Sequence, residues 1–361
     1  MAKHTIIDLI DKDLEAKQED ERRYHLGGSL IGRKCERELY YSFRWFTKTW
    51  NEDEHSGETI EGHAGRLLRL FDRGHKEEFR FVEWLRNIGI AVQEYETTHT
   101  LMFGIKSGKL DSIPRGTEVK HKEPNWRDVT LEPFFWELAQ LRGLDFTPPK
   151  QFRISDVDGH FGGSLDGILT NVPDVEEFGL KPDDEVLGEF KTHGLKSFNK
   201  LAGTRKAPTG DPRPDYKCPR TDGEGVLVAK PEHYGQMQAY MHKKRIKLAL
   251  YMAVCKDDDD LYFEWVPYDP VVGASMISKA RDVIHVNGPP PRISNNASWW
   301  ECRFCDHKQV CHYGATPAMS CRTCVHSIPV SNGEWLCKHW DSNIPKEAQL
   351  NGCENHKAIT D

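Results

Sequence analysis

The chain has no apolar run near the roughly eighteen residues that would span a bilayer, and no apolar core behind Met1-Ala-Lys-His4 of the kind that directs export. Neither membrane insertion nor secretion is expected, and the reading is of a cytoplasmic protein of a bacterial, archaeal or phage-infected host. It lacks the Gly-x4-Gly-Lys-Ser/Thr loop that cradles nucleotide phosphates, so no ATP motor is expected within it. It also lacks the Gly-x-Gly-x-x-Gly fingerprint, which argues against an electron carrier working with flavin or nicotinamide. Basic charge is not in surplus: 49 Lys and Arg face 56 Asp and Glu, for a net charge of -7. That excludes a uniformly basic nucleic-acid coat, although a site collecting acidic metal ligands can itself make the total negative. Cysteine is sparse before residue 300, where only Cys35, Cys218 and Cys255 occur, and the other seven crowd between positions 302 and 353. Clustering of that kind in a reducing compartment points to metal rather than disulfides.

What is present centres on Gly163-Ser-Leu-Asp-Gly167 and the β-like run Glu185-Val-Leu-Gly-Glu-Phe-Lys191. Side chains alternate faces along a strand, so Glu189 and Lys191 share one side and Phe190 takes the other. Alone, Glu-x-Lys is an ordinary solvated strand face. If the segment carrying Asp166 pairs beside it, two carboxylates and an ammonium converge on an oxygen-rich site suited to magnesium or manganese. Phosphodiester hydrolysis fits that set, with the lysine orienting water or meeting negative charge. A lysine facing such a site adds little packing, so its removal is expected to spare the fold.

At 361 residues and 38% hydrophobic content, one large domain with an appendage is expected. A short helix is expected over Ile6 to Lys17, a helix carrying Cys35 and Leu39 thereafter, and a loop over residues 47–62. From Ala64 to Ile88, Leu68, Phe71, His75, Phe79 and Val82 recur at helical spacing, which places His75 on the buried stripe with Glu78 one turn on. Ile90 to Tyr95 reads as a strand, and residues 100–150 receive no architecture. Leu195 to Lys230 reads as a long insertion rich in Gly, Pro and cations: Lys196, Lys200, Arg205, Lys206, Arg213, Lys217 and Arg220. Beside the strand of Glu189, those cations are candidates for contacts to DNA phosphates that carry no sequence preference. Pro231 opens a helix that sets Gln236 and Tyr240 one turn apart, and strands over Ile246–Val254 and Leu261–Val266 flank the acidic turn Asp257 to Asp260. A last helix over Val272–Asn287 ends before Gly288-Pro-Pro-Pro291.

Cys302-x2-Cys305-x5-Cys311 supplies three thiolates. The fourth ligand is either His307 or His312, giving zinc, or the distant Cys35, giving a 4Fe-4S cluster. Cys321-x2-Cys324-x12-Cys337-x15-Cys353 has zinc-ribbon-like spacing, with His326, His339 and His356 as spares.

The ordered set of an early cysteine, helical His75, Asp166, Glu189-x-Lys191, the Gln236 to Tyr240 helix and Cys302-x2-Cys305-x5-Cys311 resembles the RecB-type branch of the PD-(D/E)XK nucleases. The closer likeness is to the iron-sulfur exonucleases of CRISPR adaptation modules and the cluster-bearing subunit of bacterial helicase-nucleases. The resemblance spans residues 28–315. It implies an α/β fold with a mixed central sheet flanked by helices, a restriction-endonuclease-like core, and exonuclease activity on DNA ends or single strands. It further implies that His75, Asp166, Glu189 and the Phe190 carbonyl hold Mg2+ or Mn2+, that Lys191 acts on the attacking water, and that Gln236 and Tyr240 position the strand. Cys35, Cys302, Cys305 and Cys311 would hold a structural 4Fe-4S cluster. The expected division is a nuclease domain over 1–315 and a zinc-ribbon-like module over 316–361. That module and the basic insertion depart from the family. Expected partners are DNA and a helicase or other recombination or replication protein that supplies unwinding. The rival readings are a structure-preferring endonuclease and a DNA-binding or assembly module without catalysis.

Overall fold

A computed structural model describes residues 5–17, 22–47, 50–52, 59–61, 64–94, 151–206 and 218–360. Residues 100–150 and the cations Arg213 and Lys217 lie outside that set. The chain divides by its contacts into Met1–Val92 with Arg153–Asp361, and Gln93–Phe152. Of the second unit only 93–94 and 151–152 are described, where the Phe152 N–H bonds the Glu94 carbonyl.

The N-terminal helix α1 spans Thr5–Ala16, and β1 (Leu26–Gly27) follows. Helix α2 (Glu36–Phe43) opens with Cys35 as its N-cap residue and carries Glu36 and Glu38 in the first turn, where negative charge favours the helix dipole. Part of the expected loop over 47–62 is instead an antiparallel pair of β2 (Trp50–Glu52) and β3 (Thr59–Glu61), whose Trp, Thr and Ile are residue types that favour strands. Helix α3 (Gly65–Asn87) forms as expected, but its buried stripe is Glu77, Phe81, Val82 and Leu85, and His75 is exposed. The periodicity is real. Only the C-terminal half of the helix lies on the sheet, where Phe81 stacks on Phe190 at 5.3 Å, and the turns carrying Phe71 and His75 extend past it.

Strands β4 (Ala91–Gln93), β5 (Arg153–Asp156), β6 (Phe161–Ser164), β7 (Gly167–Thr170) and β8 (Val186–His193) come next. The supposed insertion is ordered wherever it is described: helix α4 (Leu195–Ala202), a two-residue pairing of β9 (Thr204–Arg205) with β10 (Arg220–Thr221), and helix α5 (Gly225–Ala229). Helix α6 (Pro231–Lys244), strands β11 (Leu248–Cys255) and β12 (Leu261–Pro267), and helix α7 (Pro270–His285) complete the core. Pro270 sits at the first turn of α7, and the Asp269 carboxylate accepts from the Val271 and Val272 N–H groups.

The main sheet has strand order β12-β11-β8-β7-β4. It is mixed: β8 runs parallel to β11 and antiparallel to β7, so the fold class is α/β. A parallel pair needs a crossover, and α4 to α6 supply it. One face buries Val186, Phe190, Leu248, Leu250 and Val254 against α3. The other carries Glu189, Lys191, His193 and Tyr251 beneath α6. Fully burying an aromatic such as Phe190 contributes about 1.5–3 kcal/mol, and a one-residue slip of β8 would forfeit it while driving Glu189 into the apolar layer. The apolar face therefore fixes the register of the polar one.

Beyond α8 (Trp300–Arg303) and α9 (Lys308–Tyr313), the tail forms a three-stranded sheet of β13 (Ser327–Pro329), β14 (Trp335–Cys337) and β15 (Ser342–Asn343), then α10 (Lys346–Gln349). It docks on the N-terminal segment through Arg322, which is fully buried and pairs with no carboxylate among the described residues. Its guanidinium lies 3.8 Å from the Trp45 ring centroid and donates to the Phe43 and Tyr24 carbonyls and to Gln349 Oε1. Burial, with Arg44 nearby, lowers its pKa to about 9.

Candidate active site

The β7–β8 ladder pairs Ile168 with Leu187 and Gly167 with Gly188, so the next rung sets Asp166 opposite Glu189. Asp166 leaves the ladder, and its Oδ2 accepts from the Phe190 N–H at 2.8 Å. Lys191 Nζ then stands 3.2 Å from Asp166 Oδ2, 2.5 Å from Glu189 Oε1 and 2.9 Å from the Phe190 carbonyl. Glu189 and Lys191 thus share one side as strand alternation predicts, and Asp166 meets them because β7 pairs beside β8.

Glu189 is 0% exposed, and neither of its oxygens has a well-aligned hydrogen bond. Its charge is balanced by the Lys191 ammonium, with the Gln236 amide as a lesser help. Burial pushes its pKa up to about 7, opposed chiefly by Lys191 and assisted by Asp166. Lys191 moves upward too, because two carboxylates outweigh its own desolvation. Three hard oxygens around one cationic atom form the donor set a magnesium or manganese ion takes, and the ammonium occupies the cation position. The residues fit such an ion.

Gln236 and Tyr240 are buried on α6 beside this centre, not solvated as such side chains usually are. Two stretches, Leu26-Gly-Gly-Ser29 and Phe161-Gly-Gly-Ser164, run parallel with Gly27 opposite Gly162. They flank Tyr240: a Cβ on Gly28 would lie 2.5 Å from its Cε1, and a Cβ on Gly163 would overlap its hydroxyl. Gly163→Ala must therefore displace the Tyr240 ring. We expect the protein to fold and cleavage to fall roughly a hundredfold, the cost of misplacing a positioning group by about an ångström; wild-type rates in this variant would show that Tyr240 is not needed where it stands.

His193, His233 and Tyr251 escaped the sequence reading. The Tyr251 hydroxyl lies 2.9 Å from His193 Nε2 and 3.0 Å from His233 Nδ1. Burial, with Lys230 and Lys191 near, lowers His193 to about 3, and burial and Lys191 lower His233 to about 2. Between two neutral rings, the hydroxyl donates to one nitrogen and accepts from the other. His193 follows Lys191 by two residues on the same strand face, and that alternation could have flagged it; Tyr251 joins only through the register that pairs it with Glu189.

Other expectations are corrected. His75 does not join Asp166 and Glu189: among the described residues, no three or more His, Cys, Asp or Glu side chains form a ready metal-holding group. Arg205 is no free phosphate contact, since it pairs with Asp260 and donates to the Cys218 carbonyl. Arg220 also pairs with Asp260, at 2.5 Å, so the acidic turn anchors the hairpin. Lys206 pairs with Asp222, Lys200 with Glu224 at 3.6 Å, and Lys196 is exposed. Such surface pairs are weak and leave both lysines able to exchange partners.

The cysteines gather without being drawn into a ready ligand set. Cys35, Cys302, Cys305 and Cys311 line one cleft with His307 and His312, and Cys321, Cys324, Cys337 and Cys353 line another with His326, His339 and His356. His307 is engaged through both nitrogens, Nε2 with Ser42 Oγ at 2.9 Å and Nδ1 with Thr47 Oγ1 at 3.0 Å. It is therefore not placed as the fourth ligand, while Cys35 is on the cleft wall.

No family model matches the chain, and no curated protein matches it. Among solved structures it is similar to the crystal structure of SSO0001, with 13% identity and a TM-score of 0.33 over 85% of this chain and 96% of that one. It is similar also to the alkaline exonuclease LHK-Exo from Laribacter hongkongensis, with 12% identity and a TM-score of 0.33 over 75% of this chain and 90% of that one. The complex of LHK-Exo with dAMP gives 13% and 0.33, over 73% and 87%. At that TM-score the likeness decides nothing about this chain, whose fold and chemistry rest on its own geometry.

Proposed function

We propose that this chain is a divalent-metal-dependent deoxyribonuclease of the RecB-type branch of the PD-(D/E)XK nucleases, acting as an exonuclease on DNA ends or single strands. The supporting observation is the convergence of Asp166, Glu189 and the Phe190 carbonyl on one cationic position, within 3.2 Å of Lys191 Nζ. Asp166, Glu189 and the Phe190 carbonyl would hold Mg2+ or Mn2+, which when bound supplies neutralisation of phosphate charge and activation of water. Lys191 orients the attacking water and meets charge gathering on the phosphate. Gln236 and Tyr240 hold the strand, and Lys196 and Lys200 meet its phosphates. Cys35, Cys302, Cys305 and Cys311 would carry a 4Fe-4S cluster as a staple, and Cys321, Cys324, Cys337 and Cys353 a zinc ion; convergence of each set on one cleft supports both assignments.

Digestion of end-labelled linear and covalently closed circular DNA, single and double stranded, by anaerobically purified protein tests the reading. Loss of linear DNA alone, dependent on Mg2+ or Mn2+, is expected. Cutting of closed circles would make the enzyme an endonuclease, and no cleavage by protein that retains its iron and zinc would leave only a DNA-binding or assembly role.

A further inference from the structure

Around the first cysteine cleft the chain exposes large rings that the fold does not use. Trp300, Phe304 and Tyr313 are 60%, 79% and 61% exposed, on or beside α8 and α9; Cys302 of α8, Cys311 of α9 and Cys305 between them line the cleft. Trp300 opens the short helix α8 and Phe304 follows its last residue, Arg303. Each ring has a cation against it: Lys34 Nζ lies 6.0 Å from the Trp300 centroid, the Arg303 guanidinium 5.4 Å from Phe304, and Lys308 Nζ 5.9 Å from Tyr313.

The chemistry of the patch selects its occupant. On α1 the exposed apolar residues are Ile6, Ile7, Leu9 and Ile10, an aliphatic surface of the kind that packs on another protein. From residue 299 to 313 every exposed large hydrophobic is aromatic. Flat rings interleaved with cations match the two features of an unpaired strand, base faces open for stacking and phosphates at regular intervals. A duplex offers the phosphates but keeps its base faces inside its own stack.

We propose that Trp300, Phe304 and Tyr313, with Lys34, Arg303 and Lys308, form a stacking platform for single-stranded DNA at the mouth of the first cysteine cleft. This rests on the nucleic-acid reading above. It adds a second contact on the substrate, away from the Asp166–Lys191 centre, that favours unpaired strands.

The test is the anisotropy of a labelled oligothymidylate, a duplex of equal length and an abasic strand of equal length, titrated with the full chain without added divalent cation. On the wild-type protein, the abasic strand is expected to bind at least about thirtyfold more weakly than oligothymidylate, because it keeps the phosphates and loses the bases. Trp300→Ala/Phe304→Ala/Tyr313→Ala is expected to lose about the same factor for oligothymidylate while duplex binding changes less than about threefold. Trp300→Phe/Phe304→Tyr/Tyr313→Phe keeps the rings and should keep the affinity. If the triple alanine variant fails to fold, Phe304→Ala, at the most exposed ring, should lose about fivefold by itself. Equal binding of abasic and thymidylate strands, or an equal loss for duplex and single strand in the alanine variants, overturns the platform. None of these readouts involves cutting. A protein that cleaves DNA but binds both strands alike loses the platform and keeps its activity assignment, and one that never cleaves but stacks single strands does the reverse.

Discussion

Lys191→Ala is expected to lower cleavage by about a thousandfold and to destabilise the protein at the same time. The first effect follows from the position of Nζ among Asp166, Glu189 and the Phe190 carbonyl, since removing one group that meets transition-state charge costs about 10²–10³ and Lys191 is also asked to orient water. The second corrects the expectation that a site-facing lysine can be removed freely. Glu189 is wholly buried and this ammonium is its chief partner, so the variant strands a carboxylate, a defect worth about 3–5 kcal/mol if it stays charged. It escapes part of that cost by binding a proton. In the wild-type protein the Glu189 pKa is already raised from 4.5 to about 7, so between those values the folded state holds a proton that the unfolded chain has released, and stability declines as pH rises across the window. Without Lys191 the decline extends to higher pH. Thermal unfolding at pH 6 and pH 8 should therefore separate the variant from its parent more at pH 8, and Glu189→Gln/Lys191→Ala should regain stability while staying inactive. Affinity of the parent for Mg2+ or Mn2+ should rise with pH, because only ionised Glu189 can hold a divalent ion. Full activity in Lys191→Ala would remove the lysine from the chemistry, and equal stability at pH 8 would mean that it does not hold Glu189.

The sequence made legible those parts of the site that depend on short-range geometry. Glu189 and Lys191 share a face because strands alternate, and Gln236 and Tyr240 lie together because helices repeat. The cysteine spacings mark two clefts because the thiols in each are mostly close in the chain. Contacts between distant segments were not legible. The periodicity of α3 identifies a stripe but not which turns reach the sheet, and Phe81 against Phe190 decides that in favour of the second half, leaving His75 outside. The cations of the supposed insertion and the acids of Asp257 to Asp260 stood as two separate charge clusters; folded, Arg205 and Arg220 close on Asp260. Leu26-Gly-Gly-Ser29 and Phe161-Gly-Gly-Ser164 are each too short to signal anything, and acquire meaning only when β1 pairs with β6 around Tyr240.

Cys35→Ser is expected to lose iron and brown colour and to lower the unfolding midpoint by about 10 °C or more. Cys35 caps α2, far in sequence from Cys302, Cys305 and Cys311, so a cluster held by all four would tie two distant segments. The same segments already meet through Arg37 Nε donating to the Pro290 carbonyl at 2.5 Å, and through Ser42 and Thr47 against His307. Those contacts explain why the cleft can form, and they supply the control. Burial lowers the His307 pKa to about 4, so the ring is neutral, with one nitrogen donating to a hydroxyl and the other accepting from one. A ring committed in that way has no lone pair to spare for a metal. His307→Ala should therefore lose some stability but keep its iron, whereas Cys35→Ser loses the iron. Both proteins would be purified anaerobically, with iron, zinc and the visible spectrum measured alongside thermal unfolding. Zinc at the second cleft should be unchanged in each, since none of its four cysteines is touched. The opposite pattern, iron kept without Cys35 and lost without His307, would reassign the fourth ligand to the imidazole. A cleft that binds zinc and never iron in the wild-type protein would remove the cluster while leaving the staple, because either metal ties α2 to residues 302–311 through the same side chains.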